Sequence, residues 1–177
     1  MSYRPITDMW FLTRSKLKGG EKYYGAYLGG FPERARALLG VTINDPVLHV
    51  CGGKAKLYTY AGGFGPNDKT LDLDPSVNPD YISDARWPYP TCFKAMLCDP
   101  PYSLADAAKY TVGASVYPSP NVILKNALDA LEIGDRVGII HYSLPQPGKR
   151  AKFVACVGVC CGFNNRIRVY SVFEKLS

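Results

Sequence analysis

Asp99-Pro100-Pro101-Tyr102 sets a carboxylate, rigid backbone carbonyls and a phenol ring at fixed spacing in a chain of 177 residues. Each proline locks φ and removes an N–H, so the tetrapeptide presents acceptors where an ordinary turn would present a mixture. A carboxylate and a fixed carbonyl can take the two hydrogens of one amino group, and the ring beside them can stack on a planar partner. The chemistry these groups fit is the capture of an amine attached to a planar group. A surface turn with a proline pair is the competing reading of the motif taken alone.

Such a loop needs an element to deliver it. Phe93-Lys94-Ala95-Met96-Leu97-Cys98 is a strand-like run directly upstream, and open α/β sheets bind ligands beyond the carboxyl ends of their strands. Residues 31 to 40 predict a helix, with Pro32 in its first turn, Glu33 at its positive end and Gly40 at its stop. Val47 to Cys51 reads as a first strand, and Gly52-Gly53-Lys54-Ala55 closes it with small residues that let a backbone approach a ligand. Gly62, Gly63, Gly65 and Pro66 make residues 56 to 69 a loop, and Thr70 to Asp74 a second strand ending at Pro75. Asp80 to Arg86 then leads to the strand that carries the proline pair. Asn121 to Leu131 is an apolar-periodic helix, followed by a strand over Val137 to Tyr142. Lys152 to Val159 and Arg168 to Phe173 form two further strands around a hairpin turn, Gly162-Phe163-Asn164-Asn165. About five parallel strands precede this antiparallel pair, with no repeat or low-complexity segment.

Hydrophobic and charged fractions of 47% and 20% are those of a folded globular chain. No apolar stretch approaches the roughly 20 residues of a membrane span, and the amino terminus lacks a signal-peptide core, so the expected location is cytoplasmic. Five of the six cysteines lie in or beside apolar runs and Cys92 just precedes one, none in a CxxC pair; with only His49 and His141 to join them, no metal site is expected. The net charge of +6, clustered at Arg14 to Lys22, Lys149 to Lys152 and Arg166 to Arg168, suits a polyanionic partner without choosing DNA over RNA, and equally suits a basic solvated face.

With these residues in place the chain resembles the class I S-adenosylmethionine-dependent methyltransferases, and within them the amino-methyltransferases that modify exocyclic amino groups of nucleic-acid bases. Asp99-Pro100-Pro101-Tyr102 matches that family's catalytic motif in full and after the expected strand. His49-Val50-Cys51-Gly52-Gly53-Lys54-Ala55 stands at its glycine-rich cofactor loop, with His49 in place of the usual acid and Ala55 at the second glycine. Asp72 resembles the acid that accepts both ribose hydroxyls of the cofactor, and Asp84 the acid that receives its adenine amino group; solvated strand-end carboxylates are the competing reading. Tyr27-Leu28-Gly29-Gly30-Phe31-Pro32 resembles the segment that packs over the methionine part.

The resemblance implies a Rossmann-like α/β fold, mostly parallel with a terminal antiparallel hairpin. It implies one methyltransferase domain over residues 1–177, with an amino-terminal segment and helix over 1–45 and a catalytic core over 46–177. Only Ser103 to Val122 is irregular enough to act as a recognition insert, so no separate target-recognition domain is expected, and a homodimer or a separate recognition subunit would supply reading of the target. The implied cofactor is S-adenosylmethionine. The implied reaction is methyl transfer to a base amino group, adenine in DNA ahead of RNA, with Asp99, Pro100, Pro101 and Tyr102 catalytic and His49, Cys51, Gly52, Gly53, Asp72, Asp84, Phe31 and Pro32 holding the cofactor. Two alternatives stay open: a methyltransferase acting on protein glutamine or a small molecule, and a catalytically inactive nucleic-acid-binding protein on this fold, which Ala55 and the broken crossover suggest. His141 can touch the acceptor or serve as a hydrogen-bonded structural histidine. The absence of G-x-G-x-x-G at residues 52–55 argues against a nicotinamide-dependent oxidoreductase.

Overall fold

Unbroken apolar runs such as Ala95-Met96-Leu97-Cys98 belong to strands covered on both faces, and this run is buried at every position. A computed structural model describes residues 4–14, 18–20, 25–110, 117–161 and 164–177, with the backbone alone at 59–61 and 164–165. Its described strands are β1 (Ile6–Leu12), β2 (Val47–Val50), β3 (Lys69–Asp72), β4 (Tyr81–Ile82), β5 (Ala95–Cys98), β6 (Arg136–His141), β7 (Ala151–Cys161) and β8 (Asn164–Lys175). They form one sheet in the order β1-β7-β8-β6-β5-β2-β3-β4. The five strands β4, β3, β2, β5 and β6 run parallel; β8 pairs antiparallel with both β6 and β7. The architecture is thus α/β, mostly parallel, with a terminal antiparallel pair.

Helices α1 (Phe31–Leu39) and α3 (Pro120–Ala130) flank the sheet, with the short α2 (Leu104–Ala107) between them in sequence. Gly40 ends α1 in the left-handed region, donating its N–H to the Ala37 carbonyl at 3.2 Å. Ser119 caps α3 through its hydroxyl, which accepts from the Val122 N–H. Strand alternation divides the core. Val47, Leu97, Ile140 and Tyr170 pack with Phe31, Ala35 and Leu39 of α1, whereas Leu48, Met96, Ile139 and Phe173 pack with Ile123, Leu124 and Ala127 of α3. Among the described residues no helix is long and apolar enough to cross a membrane.

Several elements differ from the sequence expectation. The amino-terminal segment holds a strand, β1, parallel to β7 and buried only at Trp10 and Leu12, too little apolar alternation to read from sequence. Residues 55–61 form a seven-residue 3-10 helix where a plain loop was expected. The second strand stops at Asp72, since Asp74 caps a 3-10 turn over Pro75–Val77. Within the stretch read as irregular, Ser103 caps α2 and α3 begins at Pro120. Of the hairpin turn, residues 162–163 lie outside the described ones and β8 already starts at Asn164.

Gly138 on β6 shows how tightly the α1 face is packed. A Cβ there would lie 2.1 Å from the Tyr170 hydroxyl and 2.6 Å from its ring carbons, and Tyr170 is fully buried with its hydroxyl on the Ala35 carbonyl at 3.3 Å. Gly138→Ala is expected to destabilise by about 1–3 kcal/mol through overpacking, lowering the thermal midpoint by several degrees in a melt.

Candidate active site

The sheet reverses its winding between β2 and β5: the chain goes outward from β2 through β3 to β4, and outward the other way from β5 to β6. Loops leaving two such neighbours diverge and open a crevice at their carboxyl ends. Val50 pairs with Cys98, and the Asp99 N–H donates to the Val50 carbonyl at 3.1 Å. The glycine-rich loop after β2 and the Asp-Pro-Pro-Tyr loop after β5 therefore leave the sheet side by side.

On the β2 side, Cys51 adopts φ +53°, a left-handed conformation rare for a side chain with a Cβ, and turns the chain sharply into Gly52. A Cβ at Gly52 would stand 2.9 Å from the His49 carbonyl oxygen, so only glycine fits this turn without a shift. The Gly53 N–H donates to Asp72 Oδ2 at 2.8 Å, and the Asp74 N–H to Oδ1 at 3.0 Å. Asp72 is half-buried, and burial pushes its carboxyl up against those two hydrogen bonds. Gly25-Ala26-Tyr27 lie over this loop across a cleft that Tyr58 also lines.

The remaining residues read as cofactor contacts are placed differently. Asp84 follows β4 on the same sheet edge but is gripped by the Arg86 guanidinium, Nη2 at 2.6 Å and Nε at 3.0 Å from Oδ2, which holds its carboxyl below the usual range. Phe31 is 1% exposed among Trp10, Tyr27 and Tyr170, and Pro32 is buried beside Gly63. His49 is 1% exposed, its Nε2 on Asp68 Oδ2 at 3.1 Å and its Nδ1 3.5 Å from the Tyr27 hydroxyl. Asp68, fully buried as a side chain, also receives Arg36 Nη1 at 2.6 Å, the Val47 N–H at 3.1 Å and the Gly65 N–H at 2.8 Å. His49 thus sits in a buried ion cluster that joins α1, β2 and the approach to β3, with Tyr27 as its link to the cleft.

On the β5 side, Pro100 is buried while Asp99, Pro101 and Tyr102 are half-buried. Tyr102 donates its hydroxyl to Asp99 Oδ1 at 2.7 Å. Its ring meets His141 at 5.5 Å and 83°, Tyr142 at 4.6 Å, and the Arg168 guanidinium at 5.4 Å. Burial pushes the Asp99 carboxyl up to about 6, with the Tyr102 hydroxyl and the Arg168 charge pulling the other way. Burial and the Asp99 charge push the Tyr102 phenol well up, which keeps it a neutral donor. Arg166 reaches the Tyr142 hydroxyl at 3.5 Å from the exposed side.

Neither Tyr142 nor Arg168 is among the site residues the sequence implies, Arg168 standing there only within the basic cluster Arg166 to Arg168. Arg168 shares its strand face with Tyr170 and Val172, both in the core, and an arginine in register with two core positions was the sequence signal for an inward-facing charge. Chemically, the arrangement pairs a half-buried carboxylate with an aromatic and cationic wall beside a glycine-rich loop whose amide is tied to a second carboxylate.

No family model matches the sequence, and no curated protein does. Solved structures share its fold. TrmN from Thermus thermophilus has a TM-score of 0.60 at 19% identity over 85% of this chain and 49% of that one. The protein yhhF from Escherichia coli, described as a candidate methyltransferase, has 0.55 at 11% over 82% and 84%. SMU.1697c from Streptococcus mutans, likewise a candidate methyltransferase and solved with SAH, has 0.51 at 15% over 81% and 97%. The chain spans about half the length of the first of these. The shared fold is the Rossmann-like α/β sheet found in methyltransferases.

Proposed function

We propose that this protein transfers a methyl group from S-adenosylmethionine to an exocyclic amino group of a nucleic-acid base, adenine in DNA being the preferred target. The observation that carries the reading is the Asp99–Val50 hydrogen bond at the switch point, which sets the Asp-Pro-Pro-Tyr loop against the glycine-rich loop. The donor and acceptor set suits the cofactor. Asp72, aimed by the Gly53 and Asp74 amides, keeps lone pairs on both oxygens for a vicinal diol, and the Cys51-Gly52-Gly53 turn presents bare backbone. Gly25-Ala26-Tyr27 line the cleft over that turn. Once bound, the cofactor supplies a methyl group on a sulfonium.

The protein's own residues then act by position. The Asp99 carboxylate and the Pro100 carbonyl accept the two hydrogens of the target amine, which draws the nitrogen toward tetrahedral geometry and localises its delocalised lone pair toward the methyl carbon. In this reading Tyr102 takes the stacking role on the target ring; for a base taken from a duplex, stacking offsets part of an unstacking cost of a few kcal/mol. Arg166 and Arg168 bring positive charge to this edge, which suits the phosphates of a flipped nucleotide.

Methyl-labelled S-adenosylmethionine, incubated with unmethylated DNA, RNA and cell-extract protein in parallel, tests the reading. Label in DNA or RNA supports it. Label in protein alone replaces it with a protein methyltransferase, and no label with no cofactor binding replaces it with a binding protein on this fold. Asp72→Ala is expected to weaken cofactor binding by about 10- to 100-fold, as the loss of a charged hydrogen-bond acceptor would, measured by calorimetry with SAH.

A further inference from the structure

His141 closes β6 at the same sheet edge as Asp99, 4% exposed, with half of its hydrogen-bonding capacity unused. The Ser143 backbone N–H donates to Nδ1 at 3.0 Å, and the Ser143 hydroxyl reaches the same atom at 3.0 Å. Only an unprotonated ring nitrogen can accept an N–H, so the neutral ring carries its proton on Nε2. Burial lowers the pKa of His141 below its ordinary value, which keeps the ring neutral. Nε2 is shielded from solvent and has no hydrogen-bond partner among the described residues. A buried donor without an acceptor is costly, and native structures rarely keep one without a reason.

Arg36 Nε, in the Asp68 cluster, and Arg168 Nε are likewise buried without a partner among the described residues; His141 and Arg168 both pack on Tyr102, whose hydroxyl holds Asp99. Asp99 thus offers an acceptor, and two unspent donors lie against the ring that is hydrogen-bonded to it. An amino group on an aromatic base has the complementary pattern, because adenine and cytosine both carry a ring nitrogen acceptor beside the amine.

We infer that His141 is a specificity-determining residue whose Nε2–H donates to the acceptor atom adjacent to the amino group held by Asp99. The inference rests on the function proposed above and adds to it the feature the substrate must carry: an amine next to a ring nitrogen or a carbonyl oxygen. A ligand lacking that acceptor leaves the buried donor unpaired and is rejected strongly, whereas differences in shape alone discriminate weakly. The competing account spends the Nε2–H on the face of the Tyr102 ring, a weak contact that would make His141 a purely structural residue.

Two measurements on the full chain decide between these accounts. The chain has two histidines, so ¹⁵N-histidine NMR resolves His141 directly; the inference requires a protonated Nε2 and a bare Nδ1, and the reverse tautomer overturns it whatever the activity. In the labelling assay with unmethylated DNA, and with RNA if that is the labelled acceptor, His141→Phe is expected to lower kcat/KM by about 10- to 100-fold, the scale of a lost base contact. Its SAH affinity and melting temperature should stay near wild type. His141→Gln, whose amide N–H reaches the Nε2 position, should recover most of that loss; it also decides the case if the Phe variant fails to fold. Wild-type rates in the Phe variant, or a folded Gln variant that stays impaired, overturn the inference while leaving the methyltransferase reading intact. Wild-type protein that labels no acceptor removes both together.

Discussion

Asp99→Ala should transfer no detectable methyl group to nucleic acid, a loss of at least 10²–10³-fold in kcat, while binding SAH as wild type does. The split is expected because Asp99 follows β5, whereas Asp72 and the glycine-rich turn belong to β2 and β3. Its pH behaviour adds a second readout. With a carboxyl pushed up to about 6 from an ordinary 3.8, Asp99 is free to accept hydrogen bonds on both oxygens only when ionised. The wild-type rate should therefore climb as pH rises through about 6 and level off above it.

Stability should move the opposite way. A carboxyl whose folded pKa lies above its unfolded value loses stability as pH rises from about 4 to about 6, so Asp99→Asn should melt a few degrees above wild type at pH 7–8 and no higher below pH 4. Higher stability with lost activity is the expected signature of a strained catalytic group. Retained turnover in Asp99→Ala would remove Asp99 from the mechanism.

Asp68→Asn should be the most damaging single change to the fold, about 3–5 kcal/mol, or on the order of 10 °C in the melting midpoint. The substitution leaves Arg36, 4% exposed, with a buried charge and no carboxylate, and weakens the anchors of Val47, His49 and Gly65 at once. Burial raises the Asp68 carboxyl, but the hydrogen bonds from His49 and Arg36 outweigh it and the net shift is downward. The stability Asp68 contributes is therefore present above the ordinary carboxylate pKa and lost as pH falls through its lower folded value. Acid titration of the Asn variant should be flatter below pH 4 than that of wild type. Because Arg36 and Asp68 share one network, Arg36→Met combined with Asp68→Asn should cost less than the sum of the two single changes. An Asn variant within 1 kcal/mol of wild type would contradict this account.

The local elements were legible where one segment carried its own signal. Helix α1 announced itself through Pro32, Glu33 and Gly40, and β5 through four apolar residues before the proline pair. β1 carried no such signal: its Thr7 and Asp8 face outward, and it is a strand because β7, nearly 150 residues later, pairs with it. β4 is two exposed residues held by the edge of β3.

The site divides the same way. The spacing of Asp99, Pro100, Pro101 and Tyr102 is covalent, and a strand before it is enough to place it at a carboxyl edge; that much was determined by the sequence itself. What surrounds Tyr102 was decided by the register His141↔Val169, which carries Arg168 and Tyr142 to a ring 66 and 40 residues away from them in sequence. The sequence expectation sets His49 in a cofactor loop, yet Asp68, nineteen residues on, draws it into the core because a buried carboxylate gathers every donor within reach. Backbone propensity and short-range spacing act within a few residues and can be read along a chain. Pairing, burial and charge compensation act across space, and only the folded sheet brings those partners together.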